Sequence, residues 1–363
     1  MMESPVGEDD ETTLLRQSAK FLKELGEAFE HVESVSNERE LDAILRKVHA
    51  TPLLTQIDAN NSKIEPYQED PQLLDSALST FIPTLSSKFL AHLQDPIVLK
   101  HVSRILYTFA KVRGEKVIVG LLNNEPRWIE PLLEVVTAER NEDDLTWEQN
   151  YIMLLWLSHL MLTPFDLATI SSFSVDEAKD YTVQLPPSTP SIARQVVFIG
   201  TRQLTSPTIE RKAASTLLMR LCVRQDMLKL GLLGLITRWA IDACATAGKE
   251  GHIHACLGTL TLLSGLVASA DQKMLGSQLS LIFRLSQRVM DDEPLAGIRS
   301  SAIARKLVIK IMRNTVLHCL QSEQSSLDTT EVVEEVIGAL IELLVSDRWI
   351  LEILSWPSRL ILM

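Results

Sequence analysis

Apolar residues recur at helical spacing along almost the whole chain, and this constrains the fold more than any other feature. Near the N-terminus, Leu15, Ser18, Leu22, Leu25, Phe29 and Val32 follow one another at alternating steps of three and four residues. Such spacing places them on one face of an amphipathic helix. Only Lys116–Leu121 offers a strand-like alternative, and that segment also fits a helix. The sequence therefore predicts an all-α protein.

Further helices are expected at about 38–54, 73–93, 128–138, 146–162, 226–247, 251–269, 272–289 and 331–345. The second of these contains Pro83, which should bend or break it. Three other helices should begin at a proline that follows a polar residue, because proline suits the first helical position. These starts are Asp95-Pro96, Ser206-Pro207 and Glu293-Pro294.

The helices follow one another in pairs of about 40 residues, a spacing typical of HEAT or armadillo repeats. Because a single pair cannot bury its apolar faces alone, neighbouring pairs should stack into an α-solenoid. We expect an acidic, disordered N-terminus at 1–13, HEAT-like repeats at 14–172 and further repeats at 191–346. A proline-rich linker or long loop at 173–190 should separate the two sets. An apolar tail at 347–363 is interpreted as a truncated or altered end.

Net charge and motif content limit the classes of partner and of activity that fit the chain. The formal net charge of −12 argues against nucleic acids and acidic membranes as partners. The acidic N-terminus does not fit a signal peptide, and Ile253–Ala270 is too polar for a comfortable membrane span, so a cytoplasmic protein is expected. The four cysteines fit buried free thiols. Phosphate-binding loops, dinucleotide fingerprints and nucleophile elbows are missing, which favours a protein that is not an enzyme and needs no cofactor.

One cluster has metal-binding residue types: His252, His254 and Cys256. On a helix, His252 and Cys256 share a face while His254 points away, and no fourth ligand is near in sequence. Zinc needs three or four converging ligands. Buried or helix-end side chains are the favoured interpretation, and no metal site is predicted.

A small basic cluster surrounds Gly114: Lys111, Arg113 and Lys116. It could contact an acidic partner. It could equally be a helix end, where cations offset the helix dipole and Gly114 supplies a left-handed cap. A second basic group is interpreted as a solvated helix face. It consists of Arg211, Lys212, Arg220 and Arg224. The aromatic residues Trp147, Tyr151 and Trp156 are predicted to pack in the core, because the run Ile152–Leu157 is apolar on all sides.

Four sequence blocks follow one another in a specific order: Tyr67–Asp75, Lys111–Lys116, Trp147-Glu148 with Tyr151 and Leu154–Ser158, and Pro164–Asp166. In these blocks and their order the chain resembles the tubulin-specific chaperone D (tubulin-folding cofactor D) family. Arg211–Asp226 continues the resemblance more loosely, and it is followed no further than about Leu320. Members of this family are much longer, so the chain resembles an N-terminal portion.

The resemblance implies a HEAT- and armadillo-like solenoid that binds β-tubulin in the post-chaperonin assembly of the αβ-tubulin heterodimer. It also implies tubulin-folding cofactors C and E and an Arf-like small GTPase as partners. Stimulation of tubulin GTP hydrolysis together with other cofactors, and association with the microtubule cytoskeleton, follow from the same resemblance. The family acts by holding its partners and brings no catalytic residues to this chain.

Tubulin is itself acidic, so contact with this acidic chain should depend on local basic patches and apolar anchors. Lys111, Arg113 and Lys116 are the candidate partner-binding residues. Three alternatives remain at this point. The chain could be a HEAT-repeat scaffold or adaptor of transport or phosphatase type, an enzyme with an unrecognised helical active site, or a truncated product that lacks full activity.

Overall fold

The structure is a computed structural model that describes residues 22–32, 39–41, 71–138, 145–171, 182–321, 333–334, 336–338 and 341. Every regular element in these ranges is an α-helix or a short 3-10 helix, which confirms the all-α prediction. Residues 116–121, the one strand candidate, are helical. The predicted N-terminal segment 1–13 and tail 347–363 lie outside the described residues. No helix within the described ranges is long and apolar enough to cross a membrane.

The chain divides into two compact units, residues 1–174 and 175–363. The finer division into repeats at 14–172 and 191–346, with a linker at 173–190, stays a prediction. Only residues 182–190 of that linker are among those described.

The N-terminal unit contains six α-helices among its described residues, besides the helical residues 22–30 and 39–41. They are α1 (Asp75–Ala91), α2 (Pro96–Arg113), α3 (Glu115–Leu121), α4 (Ile129–Thr137), α5 (Trp147–Leu160) and α6 (Leu167–Ile170). Short 3-10 turns at Pro71–Leu74 and Pro126–Trp128 precede α1 and α4. Helices α1 and α2 form one pair and α4 and α5 the next, and the second helices, α2 and α5, pack against each other. The rings of Phe29, Phe81 and Phe109 meet in the core.

The C-terminal unit repeats the same plan. Its helices are α7 (Ser191–Gln203), α8 (Glu210–Cys222), α9 (Gln225–Lys229), α10 (Leu232–Glu250), α11 (Ile253–Ser269), α12 (Gln272–Leu275), α13 (Gln278–Asp291), α14 (Ala296–Arg299) and α15 (Ala302–Gln321). The pairs are α7–α8, α10–α11 and α13–α15, and their first helices begin 41 and 46 residues apart. The second helices pack in succession, α8 on α11 and α11 on α15. This spacing agrees with the repeat of about 40 residues predicted from the sequence.

Two helix starts follow from their capping residues. Asp95 accepts hydrogen bonds from the backbone N–H groups of Ile97 and Val98, at 3.0 and 3.2 Å, and Pro96 occupies the first position of α2. Thr146 forms a capping box with Gln149 at the start of α5. Both arrangements satisfy N–H groups that a helix leaves unpaired at its N-terminus.

The predicted start at Ser206-Pro207 is wrong, because α8 begins at Glu210. The hydroxyls of Ser206 and Thr208 donate to the Glu210 carboxylate, at 2.8 and 2.5 Å, instead of capping a helix that starts at Pro207. Ser and Thr side chains often compete with helix geometry in this way.

Other boundaries also differ from the prediction. Pro83 does not break α1, since it lies on the exposed side of that helix, where solvent can pair with the freed carbonyl. The segments 226–247 and 272–289 are each two helices, divided near Gly231, which has φ 71°, and Gly276. The helical run after Glu293-Pro294 is interrupted between Arg299 and Ala302.

Candidate partner-binding face

The corner between α2 and α3 is formed by Gly114. Its N–H donates to the Ala110 carbonyl at 3.0 Å and so ends α2. The backbone angles are φ 101° and ψ 136°, which are outside the left-handed helical region. The prediction of a left-handed cap is therefore wrong in its ψ angle, although the positive φ still explains why glycine occupies this corner.

Arg113 forms an intramolecular ion pair with Asp75. Its Nε and Nη2 atoms donate to Oδ1 and Oδ2 of Asp75, at 2.5 and 2.8 Å. Such a two-point contact matches the planar guanidinium to the planar carboxylate. The hydrogen bond from Arg113 lowers the pKa of Asp75 below its usual 3.8. Arg113 thus ties the end of α2 to the start of α1.

Lys111 and Lys116 are the exposed cations of the basic cluster. Lys111 lies in the last turn of α2 and Lys116 in the first turn of α3, on either side of Gly114. The position of Lys111 also fits the helix-end interpretation, in which a cation offsets the dipole. A role in partner binding stays a prediction for all three residues.

An aromatic cluster lies next to this corner. The Tyr107 ring makes edge-to-face contacts with Trp147 at 4.7 Å and with Tyr151 at 5.7 Å between ring centroids. Trp147 is the first residue of α5 and is 38% exposed, so its predicted place in the core is wrong. Tyr151 and Trp156 are buried, as predicted. The apolar run on which the prediction rests, Ile152–Leu157, begins five residues after Trp147 and so does not determine the burial of Trp147.

Tyr151 links the aromatic cluster to the corner. Its hydroxyl donates to Glu115 Oε2 at 3.2 Å. Burial, followed by the nearby Glu115 carboxylate and then Tyr107, raises the pKa of Tyr151, so the phenol stays protonated. This hydrogen bond holds the beginning of α3 against α5.

One face of α2 is both basic and aromatic. Arg104, Tyr107 and Lys111 follow at helical spacing, and α2 has four basic and no acidic residues. Arg104 Nε lies 3.9 Å from Glu148 Oε1 on α5. We call the surface formed by Lys100, Arg104, Tyr107, Lys111, Trp147 and Glu148 the α2–α5 face. Tyr, Trp and Arg are the residues most enriched at the energetic centres of protein interfaces.

The His252, His254 and Cys256 cluster does not converge. Cys256 is buried, with its Sγ 3.7 Å from the Cys244 carbonyl, whereas the His252 side chain is 69% exposed and lies near Glu250. His254 Nδ1 instead lies 3.3 Å from an Arg211 nitrogen. Among the described residues, no three His, Cys, Asp or Glu side chains are grouped so that they could hold a metal ion.

The second basic group predicted from the sequence is not uniform. Lys212 is exposed, as expected for a solvated helix face. Arg224 is not, because its side chain is 8% exposed and forms a two-point ion pair with Asp226, at 3.0 Å for each contact. Asp226 also accepts from the Met227 backbone N–H, so this pair fixes the start of α9.

Comparison with known proteins shows what the chain is similar to. Residues 64–244 match a family model described as "Tubulin-specific chaperone D-like, ARM repeat". The chain is 28% identical over 243 residues to "Tubulin-folding cofactor D" of Schizosaccharomyces pombe, an alignment that covers 67% of this chain and 19% of that relative. The chain thus spans less than a fifth of this relative's length in the aligned region. No solved structure matches.

The α2–α5 face lies inside the matched region, and helix pairs of this spacing are those of an armadillo-like α-solenoid. Residues 64–244 of the chain therefore resemble the armadillo repeats of tubulin-specific chaperone D-like proteins.

Proposed function

We propose that this chain is part of a tubulin-folding cofactor and binds β-tubulin through the α2–α5 face. In this role it would take part in the post-chaperonin assembly of the αβ-tubulin heterodimer, in the cytoplasm and at the microtubule cytoskeleton. It works by holding partners and not by catalysing a reaction. The family match over residues 64–244 supports the cofactor role.

The observation that carries the choice of surface is the pair formed by the half-buried Tyr107 and the exposed Trp147. Their rings pack edge to face at 4.7 Å, so the pair is fixed before a partner arrives. A rigid aromatic anchor loses little conformational entropy on binding. Arg104 and Lys111 lie on the same stripe as Tyr107 and complement an acidic protein such as tubulin.

The wider set of partners belongs to the same proposal. Tubulin-folding cofactors C and E, and an Arf-like small GTPase, would meet the chain in the assembled complex. Stimulation of tubulin GTP hydrolysis would be a property of that complex. We expect these partners only if the chain is part of a tubulin-folding cofactor.

A pull-down from cytosol tests the β-tubulin proposal. The wild-type chain should capture β-tubulin, and the variant Lys111→Glu should capture about fivefold less, because a contact within the face becomes repulsive. Arg127→Glu is the matched control. It reverses an exposed cation of the same unit that lies outside the face, on the turn Pro126–Trp128, and should bind normally.

The contrary outcomes are specific. A soluble, helical wild-type chain that captures no β-tubulin would contradict the proposal and would fit a product without the full activity. Capture of the small GTPase alone would place the GTPase surface in this part of the protein and the tubulin surface elsewhere. Capture of a different protein alone would favour a general scaffold. Equal losses for Arg127→Glu and Lys111→Glu would reject the α2–α5 face.

A further inference from the structure

The charge of the chain is distributed very unevenly. Residues 191–321 contain 17 lysines and arginines and 8 aspartates and glutamates, a net charge of +9 in a chain whose formal net charge is −12. The excess of negative charge therefore lies entirely outside this part of the C-terminal unit. The overall charge of the chain hides a strongly basic helical region.

The basic residues are concentrated on two of the second helices, α8 and α15. Together these helices carry seven lysines and arginines: Arg211, Lys212, Arg220, Arg305, Lys306, Lys310 and Arg313. Their single acidic residue is Glu210, which is buried and accepts hydrogen bonds from Ser206 and Thr208. The Glu210 carboxylate is thus turned into the protein and offsets little of the charge at the surface.

Helix α11 lies between α8 and α15 and has no charged residue of the Asp, Glu, Lys or Arg types. On the α8 side, the Ser269 hydroxyl lies 3.0 Å from Met219 Sδ. On the α15 side, His318 Nε2 lies 2.7 Å from the Val267 carbonyl. The two basic helices therefore flank an uncharged helix.

Apart from the half-buried Ile253 at its first position, the side chains of α11 that reach solvent are small or polar. His254 and Ala268 are exposed, and Thr261 and Gly265 are half-buried. A partner segment could approach the helix closely there, because no large side chain stands in the way. Lys212 on one side and Lys306 and Lys310 on the other are exposed. We call this surface the α8–α11–α15 face.

We propose that the α8–α11–α15 face binds an acidic stretch of a protein partner. Cations on both flanks complement a run of carboxylates, and the small side chains of α11 leave room for an extended peptide between them. A single-stranded nucleic acid fits less well, because stacking on aromatic side chains is its usual means of binding. None of the three helices carries Phe, Tyr or Trp. This inference does not depend on tubulin being the partner.

The test uses the full chain and a fluorescein-labelled dodecaglutamate peptide, with binding followed by fluorescence anisotropy. A glycine–serine peptide of equal length serves as the uncharged probe. The wild-type chain should bind only the acidic peptide, and more weakly as salt rises. The double variant Lys212→Glu/Lys310→Glu should bind the peptide about tenfold more weakly, since it removes one cation from each flank.

The matched control is Lys229→Glu/Lys273→Glu. Both lysines are exposed in the same unit but belong to the short helices α9 and α12, so the net charge changes equally while the face stays intact. This control should bind within about twofold of the wild-type chain. Circular dichroism of both double variants should show wild-type helix content, because the exchanged side chains are exposed.

Four results would overturn the inference. The wild-type chain could fail to bind the acidic peptide, or both double variants could lose binding equally, which would reduce the effect to net charge. Tighter binding of an oligothymidylate of equal charge would assign the face to nucleic acid. Concentration-dependent self-association that only Lys212→Glu/Lys310→Glu abolishes would assign it to a second copy of the chain.

Discussion

Arg113 and Asp75 form a two-point ion pair that joins the last turn of α2 to the first turn of α1, with contacts of 2.5 and 2.8 Å. The pair closes a loop of the chain that includes both helices of the first pair. One of the three candidate partner-binding residues thus already has a structural role. Lys111 and Lys116 are consequently the better positions for testing partner contact.

The Asp75–Arg113 pair should make stability depend on acid pH. Because its pKa is lowered in the folded state, Asp75 contributes stability above its unfolded value of about 3.8, and this contribution disappears as the pH falls through the lower folded value. Asp75→Asn should therefore be less stable than the wild type near neutral pH, and the difference should shrink below about pH 3.8. Urea unfolding at several pH values measures this, and a difference that grows on acidification would contradict the pairing.

Gly258 marks a close approach of two backbones in the C-terminal unit. A Cβ atom at this position of α11 would overlap the carbonyl oxygen of Leu204, which is backbone and cannot move aside as a side chain could. Gly258→Ala should lower the free energy of unfolding by about 1–3 kcal/mol.

The control for this prediction is Gly120→Ala. Gly120 is helical and has no neighbour within 4 Å of an added Cβ, so alanine should raise stability by about 0.5 kcal/mol. Chemical denaturation of both variants gives the comparison. Equal stability of Gly258→Ala and the wild type would show that the two backbones are not this close.

All four cysteines, at 222, 244, 256 and 319, are free and buried. Burial raises the pKa of the Cys222 thiol, which further reduces its reactivity. A thiol reagent such as Ellman's should therefore label none of them in the native protein and all four after unfolding. Rapid labelling of one thiol under native conditions would place that cysteine at the surface.

Trp156 and Trp147 lie in one helix but should respond differently to substitution. Trp156 is fully buried, and its indole N–H donates to the Asn123 carbonyl at 2.7 Å. Trp156→Phe should cost about 1–3 kcal/mol of stability, because it leaves a cavity and an unpaired carbonyl. Trp147→Phe should change stability by less than about 0.5 kcal/mol, since the side chain is partly exposed. Thermal unfolding distinguishes them, and equal losses would mean that Trp147 belongs to the core.

Local sequence patterns predicted the start of a helix where a capping residue or a proline fixes the local backbone conformation. Asp95 with Pro96, and Thr146 with Gln149, begin helices where expected because each supplies a hydrogen-bond acceptor or a fixed φ at the right position. Ser206-Pro207 looked similar, but no helix begins there. The Ser206 hydroxyl donates to the Glu210 carboxylate, and the helix begins at Glu210. Whether such a residue pair begins a helix depends on neighbouring side chains, such as Glu210, that the two-residue pattern does not include.

The candidate sites were only partly predictable. The sequence offered Lys111, Arg113 and Lys116 as candidates, and no local pattern shows that Arg113 pairs with Asp75, which lies 38 residues away. The exposure of Trp147 depends on how α5 packs against its neighbours, which is a tertiary property. The basic region at 191–321 was different, because counting charges by segment instead of over the whole chain would have revealed it.

Site-specific crosslinking examines the contact between the α2–α5 face and β-tubulin. The variant Lys111→Cys offers an exposed thiol for a benzophenone maleimide, because the native cysteines are buried. Glu134→Cys is the control, since Glu134 is exposed on α4, outside the face. Illumination with β-tubulin present should give a crosslinked product from position 111 and none from position 134. A product from position 134 with none from position 111 would contradict the assignment of the α2–α5 face as the tubulin-binding surface.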